Sequence, residues 1–158
     1  MSLRKPALDP HTLEPQSRSG YPAPYAARVL PRAVRRLGDA LGLTRIGVNL
    51  ATLLPGKESS MRHWHTHEDE FVYVLEGQVV LRTDAGEQVL TAGMCAGFVA
   101  GSSDGHQLIN RGAQPVLYLA ISNRDAADVG YYADPDVDLV FSPPHAPGKF
   151  TRRDGTPW

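Results

Sequence analysis

The chain has one cysteine, Cys95, among 158 residues. A lone thiol cannot close an internal disulfide, and it cannot build a thiolate-rich zinc or iron–sulfur centre, which needs several sulfurs. Any metal bound here would be held by nitrogen and oxygen. Charge of one sign is lacking too: 16 Lys plus Arg against 17 Asp plus Glu give a formal charge of −1. No positive excess is available to release counterions from a phosphate backbone, so nucleic acid is not an expected partner. No apolar run is long enough to span a membrane. The stretch Met1 to Ser19 is polar, with prolines at 6, 10 and 15, and has no signal-peptide core. The expectation is a cytoplasmic protein with no membrane partner.

What is plentiful is turn chemistry: 15 Gly and 13 Pro, as many turns between short strands require. The length fits one compact domain. Residues 1–31 carry Pro6, Pro10, Pro15, Pro22, Pro24 and Pro31 with few branched apolar residues, which predicts an extended arm without helix. Val34, Leu37, Ala40 and Leu41 have helical spacing, with Gly42 placed to close a short turn. From Arg45 the period becomes two. Strands are predicted at Arg45 to Leu54, Glu70 to Glu76, Gln78 to Thr83, Gln88 to Leu90, Cys95 to Val99, His106 to Asn110 and Val116 to Ser122, separated by turn signals such as Pro55-Gly56, Gly77 and Ala92-Gly93. About seven short strands at this spacing predict an all-β sandwich or barrel. Residues 125–158 hold Pro135, Pro143, Pro144, Pro147 and Pro157 and are expected to be a mostly irregular extension on the barrel, with a helical turn at Asp125 to Val129.

Histidine placement carries the chemistry. Three of the six histidines fall in His63-Trp64-His65-Thr66-His67, followed by Glu68-Asp69-Glu70. On a strand, positions i and i+2 share a face, so His63 and His65 can offer two imidazole nitrogens to one ion, and a carboxylate beyond the next turn can close that face. Two neutral imidazoles and a carboxylate with open positions left over form the ligand type of Fe, Mn, Ni or catalytic Zn centres.

At this segment the sequence resembles the cupin superfamily. The first cupin motif is matched by Gly56, His63-x-His65, four residues, Glu70, six residues and Gly77, with one extra residue before His63. The second is matched by Gly93, five residues, Val99-x-Gly101, His106, three residues and Asn110. Val99 stands where the motif has proline, and the loop from Gly101 to His106 is two residues longer than the pattern. The segment Arg62 to Gly77 is most similar to small single-domain bacterial cupins, a group with no generally assigned reaction. The resemblance implies a double-stranded β-helix, or jelly roll, over residues 32–124. It also implies a metal site of His63, His65, Glu70 and His106 in one open end of the barrel.

His67 and Asn110 are placed around the ligands rather than among them, His67 because its spacing to Glu70 fits the motif worse, Asn110 as a pin for the backbone. Glu68 and Asp69 read as exposed acids, Cys95 as a buried structural thiol, Trp64 as packing away from the ligand face, and His11 and His145 as solvent-facing. Beyond the ligand set no catalytic group is named; His67, Tyr73 and Tyr118 are the candidates. Two functions follow: an enzyme using one divalent transition ion on a small oxygenated metabolite or sugar, as dioxygenase, isomerase or decarboxylase, or a non-catalytic module that binds or senses a small ligand. A metal-free sugar-nucleotide epimerase of the related jelly-roll family fits less well, because it has no need of four ligands. Pairing of sheets, implied by the resemblance, makes a homodimer the expected assembly.

Overall fold

The computed structural model describes residues 4–142 and 149–158. A short 3-10 turn at Pro10–Thr12 precedes helix α1 (Ala23–Val29), strand β1 (Ala33–Arg36) and helix α2 (Leu37–Leu41). The strands that follow are β2 (Ile46–Leu53), β3 (His63–His65), β4 (Glu70–Glu76), β5 (Gln78–Thr83), β6 (Gly86–Thr91), β7 (Cys95–Phe98), β8 (Gln107–Ile109) and β9 (Val116–Asn123). The tail adds β10 (Gly130–Tyr132), β11 (Val140–Ser142) and β12 (Lys149–Thr151).

The antiparallel order β1-β2-β9-β4-β7 makes one wall of the jelly roll. The sheets β12-β11-β10-β3 and β6-β5-β8 make the other, joined by bridges His63 to His106 and Glu58 to Ile109. Alternation along each strand decides what lies between the walls. Ala51, Leu53, Val72, Val74, Val79, Leu81, Leu90, Leu108, Val116 and Tyr118 form the buried core, with Ala96 and Phe98 packed against it. The same parity puts Glu70 in line with Val72 and Val74, at the end of the barrel where the apolar filling stops. Gly77 joins β4 to β5 at φ 82°, and a Cβ there would meet the Pro115 carbonyl oxygen at 3.1 Å. Only glycine suits both conditions.

Several expectations need correction or refinement. The proline-rich N-terminal stretch is not wholly extended: Pro22 precedes α1 and Pro24 lies in its first turn, where backbone N–H groups have no helical acceptor and proline is tolerated. Tyr25 and Val29 of α1 are buried with Met61, Tyr132, Val137 and Leu139. The described tail is mostly irregular, as expected, yet it holds three short strands, β10, β11 and β12, that extend the sheet containing β3; Pro135 falls in the connection between β10 and β11. Cys95 is exposed, because Ala96 and Phe98 take the inward positions of β7 and leave Cys95 on the outer face.

The helical pattern over Val34 to Leu41 is divided. Val34 is drawn into the sheet opposite Ala51, and only Leu37–Leu41 stays helical, ending at Gly42 with φ 76°. Asp125 to Val129 forms a turn, not a helix. His11 is exposed, and His145 lies outside the described residues. No helix among the described residues is long and apolar enough to cross a membrane.

Candidate metal centre

Strand β3 is what gives His63 and His65 a common direction. Its neighbours are β10, in register His65 to Gly130 and His63 to Tyr132, and the bridge to His106, whose N–H donates to the His63 carbonyl at 2.8 Å while His63 returns the bond at 3.1 Å. Trp64 points the other way and stacks on Tyr131 with ring centroids 5.0 Å apart. Glu70, at the start of β4, reaches the same space from the opposite wall.

The four side chains meet at one oxygen. Glu70 Oε2 lies 2.7 Å from His106 Nε2, 3.6 Å from His63 Nε2 and 3.7 Å from His65 Nε2. Even so, this buried oxygen has no hydrogen-bond partner among the described residues; the close nitrogens are not aligned as donors. For His63 and His65 the back nitrogens explain why. His63 Nδ1 is 2.9 Å from the Met61 carbonyl, which can only accept, so Nδ1 holds the proton. His65 Nδ1 is 2.5 Å from Asp128 Oδ2, a carboxylate that fixes the same tautomer. Both rings thus turn the lone pair of Nε2 toward Glu70. A buried carboxylate oxygen without a donor, faced by imidazole lone pairs, is the donor set that suits a divalent cation. His63, Glu70 and His106 offer donor atoms within 4.8 Å of one another.

Titration follows the same geometry. Burial drives the His63 imidazole down to about 4. Burial alone would raise the Glu70 carboxyl, but the His106 ring at 2.7 Å and the positive charge the three imidazoles carry when protonated hold it at about 2. Burial opposes charge on His65 as well, yet the Glu70 and Asp128 carboxylates raise it above its ordinary value. The His106 ring is fixed differently, stacked on Phe98 with centroids 3.6 Å apart and planes within 5°.

Asp128 is the residue sequence reasoning missed. It is 1% exposed, and its Oδ1 accepts the backbone N–H of His67 at 2.8 Å and of Glu68 at 3.2 Å. One carboxylate therefore ties the end of β3 to the tail. Glu68 departs from expectation: it is buried, because its Oε1 accepts the Asp125 N–H at 3.0 Å, and it lines a cavity with His65, Glu70 and His106. The His67 ring does not join the cluster. It is exposed and bonded to Thr66 Oγ1 at 2.7 Å, since β3 ends at His65 and its alternation ends with it. Asn110 is fully buried; its amide donates to the Leu53 and Gln114 carbonyls at 2.8 Å each, and its Oδ1 accepts the Gly112 N–H at 2.9 Å. Tyr73 points outward and is 37% exposed, whereas Tyr118 is inside the barrel, its hydroxyl pushed by burial up to about 12.

The cupin domain family model matches residues 49–122. A crystal structure described as a sugar phosphate isomerase of the cupin superfamily, from Silicibacter pomeroyi, is 42% identical with a TM-score of 0.90, over 97% of this chain and 96% of that one. The chain belongs to the cupin superfamily. A candidate sugar phosphate isomerase from Acidithiobacillus ferrooxidans is 30% identical to this cupin, with a TM-score of 0.70, over 78% of this chain and 77% of that one. A predicted oxalate decarboxylase from Thermotoga maritima shares the fold alone, at 19% identity and a TM-score of 0.60, over 74% of this chain and 97% of that one. No curated protein matches the cupin in sequence.

Proposed function

We propose that this cupin is a metal-dependent isomerase of a small phosphorylated sugar, with one divalent transition ion, Zn, Fe, Mn or Ni, held by His63, His65, His106 and Glu70. The observation that carries the reading is the convergence of three Nε2 atoms on the donor-free Oε2 of Glu70. The likeness to two structures described as sugar phosphate isomerases supports the choice among cupin reactions. A bound ion would supply Lewis acidity to a carbonyl or hydroxyl oxygen of the sugar.

The chain's own residues do the rest. Met61 and Asp128 hold the His63 and His65 rings in the ligating tautomer. Asn49, Ser60 and Ser122 line the adjoining cavity with hydrogen-bonding groups suited to hydroxyls. An aldose–ketose interconversion moves a proton between neighbouring carbons, and the two titratable side chains nearest at hand are Tyr118, which borders this cavity, and Glu68, which lines an adjoining one with His65, Glu70 and His106.

Metal analysis of protein purified without a histidine tag, joined to NMR of aldose and ketose phosphates incubated with it, tests the proposal. Stoichiometric metal and interconversion of one aldose–ketose pair are expected, both lost in His106→Ala. Failure to take up any of the four metals overturns the reading. Metal uptake and sugar phosphate binding with no conversion of any pair leave the non-catalytic sensing module instead.

A further inference from the structure

Arg32 immediately precedes β1, and the strand's period continued one residue back places Arg32, Val34 and Arg36 on one side of the chain. Val34 is buried in the barrel core opposite Ala51, so that side faces inward. The positions flanking it carry arginine. Charged residues on the inner face of a barrel strand break the pattern the rest of the sheet obeys, and such breaks concentrate at functional sites.

Arg32 differs from the other arginines around the barrel mouth. Arg28 is paired with Glu58, Arg62 with Asp134, and Arg124 with Asp39; Arg36 lies 3.7 Å from the same Asp39. Arg32 is half-buried and has no ion pair or side-chain hydrogen bond among the described residues. It borders a cavity of about 240 Å³ together with His63, Glu70, His106 and Tyr118. It also borders a wider mouth of about 550 Å³ with Arg36, His63, His65, Tyr21 and Tyr132. One unpaired guanidinium therefore opens onto the same space as all four members of the histidine–glutamate cluster. Of the acids that face this region, Asp39 is paired with Arg36 and Arg124, Glu68 accepts the Asp125 N–H, and Glu70 is turned into the histidine cluster.

We propose that Arg32, supported by Arg36, is the subsite for the phosphate group of a phosphorylated sugar whose oxygenated end reaches the histidine–glutamate cluster. This rests on the isomerase reading for the reacting end and on the arginine placement for the phosphate end. A planar guanidinium can give two parallel N–H bonds to two phosphate oxygens, which an ammonium cannot. The small inward residues Asn49, Ala51, Ala120 and Ser122 on β2 and β9 leave the room a ligand needs between the two ends. Tyr21 and Tyr132, joined hydroxyl to hydroxyl at 3.2 Å, form the wall beside it.

Calorimetric titration of the full chain, metal-loaded and after chelator treatment, tests the subsite. The probes are ribose 5-phosphate, glucose 6-phosphate and fructose 6-phosphate, each against its free sugar, with metal content measured on every sample. At least one phosphorylated sugar should bind wild type tighter than its free sugar by about 10- to 100-fold. Arg32→Gln should remove that preference while leaving metal content unchanged, and Arg32→Lys, which keeps the charge but not the fork, should retain part of it. The chelator-treated chain should keep an Arg32-dependent preference at lower overall affinity. Equal affinity for phosphorylated and free sugars, no binding of any phosphorylated probe, or a preference unaltered in both variants overturns the subsite. Equal affinity or an unaltered preference, with full metal content, would leave the isomerase reading standing, whereas no binding of any phosphorylated probe would count against both. An Arg32-dependent preference in a chain that takes up no metal would support the subsite and sink that reading. If Arg32→Gln does not fold, Arg32→Lys and the wild-type comparison still decide.

Discussion

Asp128 Oδ2 lies 2.5 Å from His65 Nδ1, across a separation of 63 residues in sequence. The pair makes the tail part of the histidine cluster, because the carboxylate that orients His65 also receives the backbone N–H groups of His67 and Glu68.

Asp128→Asn should therefore weaken metal binding without emptying the site. The amide keeps the shape of the carboxylate but loses the charge that favours the Nδ1–H tautomer. Substitutions of this kind typically lower metal affinity about 10- to 100-fold. Competition with a chromophoric chelator measures it, and an affinity equal to wild type would show that His65 needs no such partner.

Acid should destabilise the metal-free protein before it protonates most carboxylates. Folding holds His63 neutral down to about 4, whereas in the unfolded chain it takes a proton near 6.5. Its stabilising contribution is full above 6.5 and is lost as pH falls toward 4, a span of at most about 3 kcal/mol. Glu70, held at about 2 against an ordinary 4.5, acts in the same direction at lower pH. His65, whose value is raised, acts oppositely: its contribution is present below 6.5 and fades as pH rises through its folded value. Urea midpoints of chelator-treated protein should fall between about pH 6.5 and 4. A His63→Asn chain should show a flatter profile there.

Asp134→Ala should lower stability strongly although the residue is outside the site. Asp134 is 6% exposed and accepts from Arg62 Nε at 2.9 Å and from Arg82 at 3.3 Å. Removing it leaves the largely buried Arg62 charge with only the more exposed Asp84 as an ion-pair partner among the described residues. Breaking a buried pair in this way costs about 3 kcal/mol or more. Thermal unfolding monitored by circular dichroism gives the value, and a loss below about 1 kcal/mol would match a solvent-screened pair instead.

A homodimer formed through the outer face of the five-stranded sheet is the expected assembly. Phe71, Tyr73 and Leu75 project outward from β4, each more than a third exposed, on a sheet whose inner face is already apolar. Strands apolar on both faces are those covered on both faces. Light scattering should give twice the chain mass, shifting toward the monomer in Phe71→Glu. A monomer at all concentrations would discard the expectation.

Much of this molecule was legible in the sequence, for identifiable reasons. His63, His65 and Glu70 are close in sequence and two-residue parity aligns the histidines, so local spacing carried most of their geometry; Gly77 marked the β4–β5 turn to the residue. His106 was placed by motif spacing in spite of a longer loop, which the structure accommodates at Gly105, where a Cβ would stand 2.6 Å from Ala133 Cβ. Asp128 was invisible because no local pattern links it to a histidine so far upstream. Glu68 looked exposed because its partner, the Asp125 N–H, is equally remote. Helix α1 was hidden by its prolines, whose cost depends on position within the first turn rather than on number. Cys95 has apolar neighbours, but strand parity, which turns Ala96 and Phe98 inward, decides its exposure.

The pairing of β3 with β10 has a consequence for the order in which the protein can be made. During synthesis His63, His65, Glu70 and even His106 leave the ribosome before Asp128 and the strand at Gly130–Tyr132 exist to hold β3 in place. The arrangement that Asp128 and β10 complete therefore forms only after the chain has been made as far as residue 132.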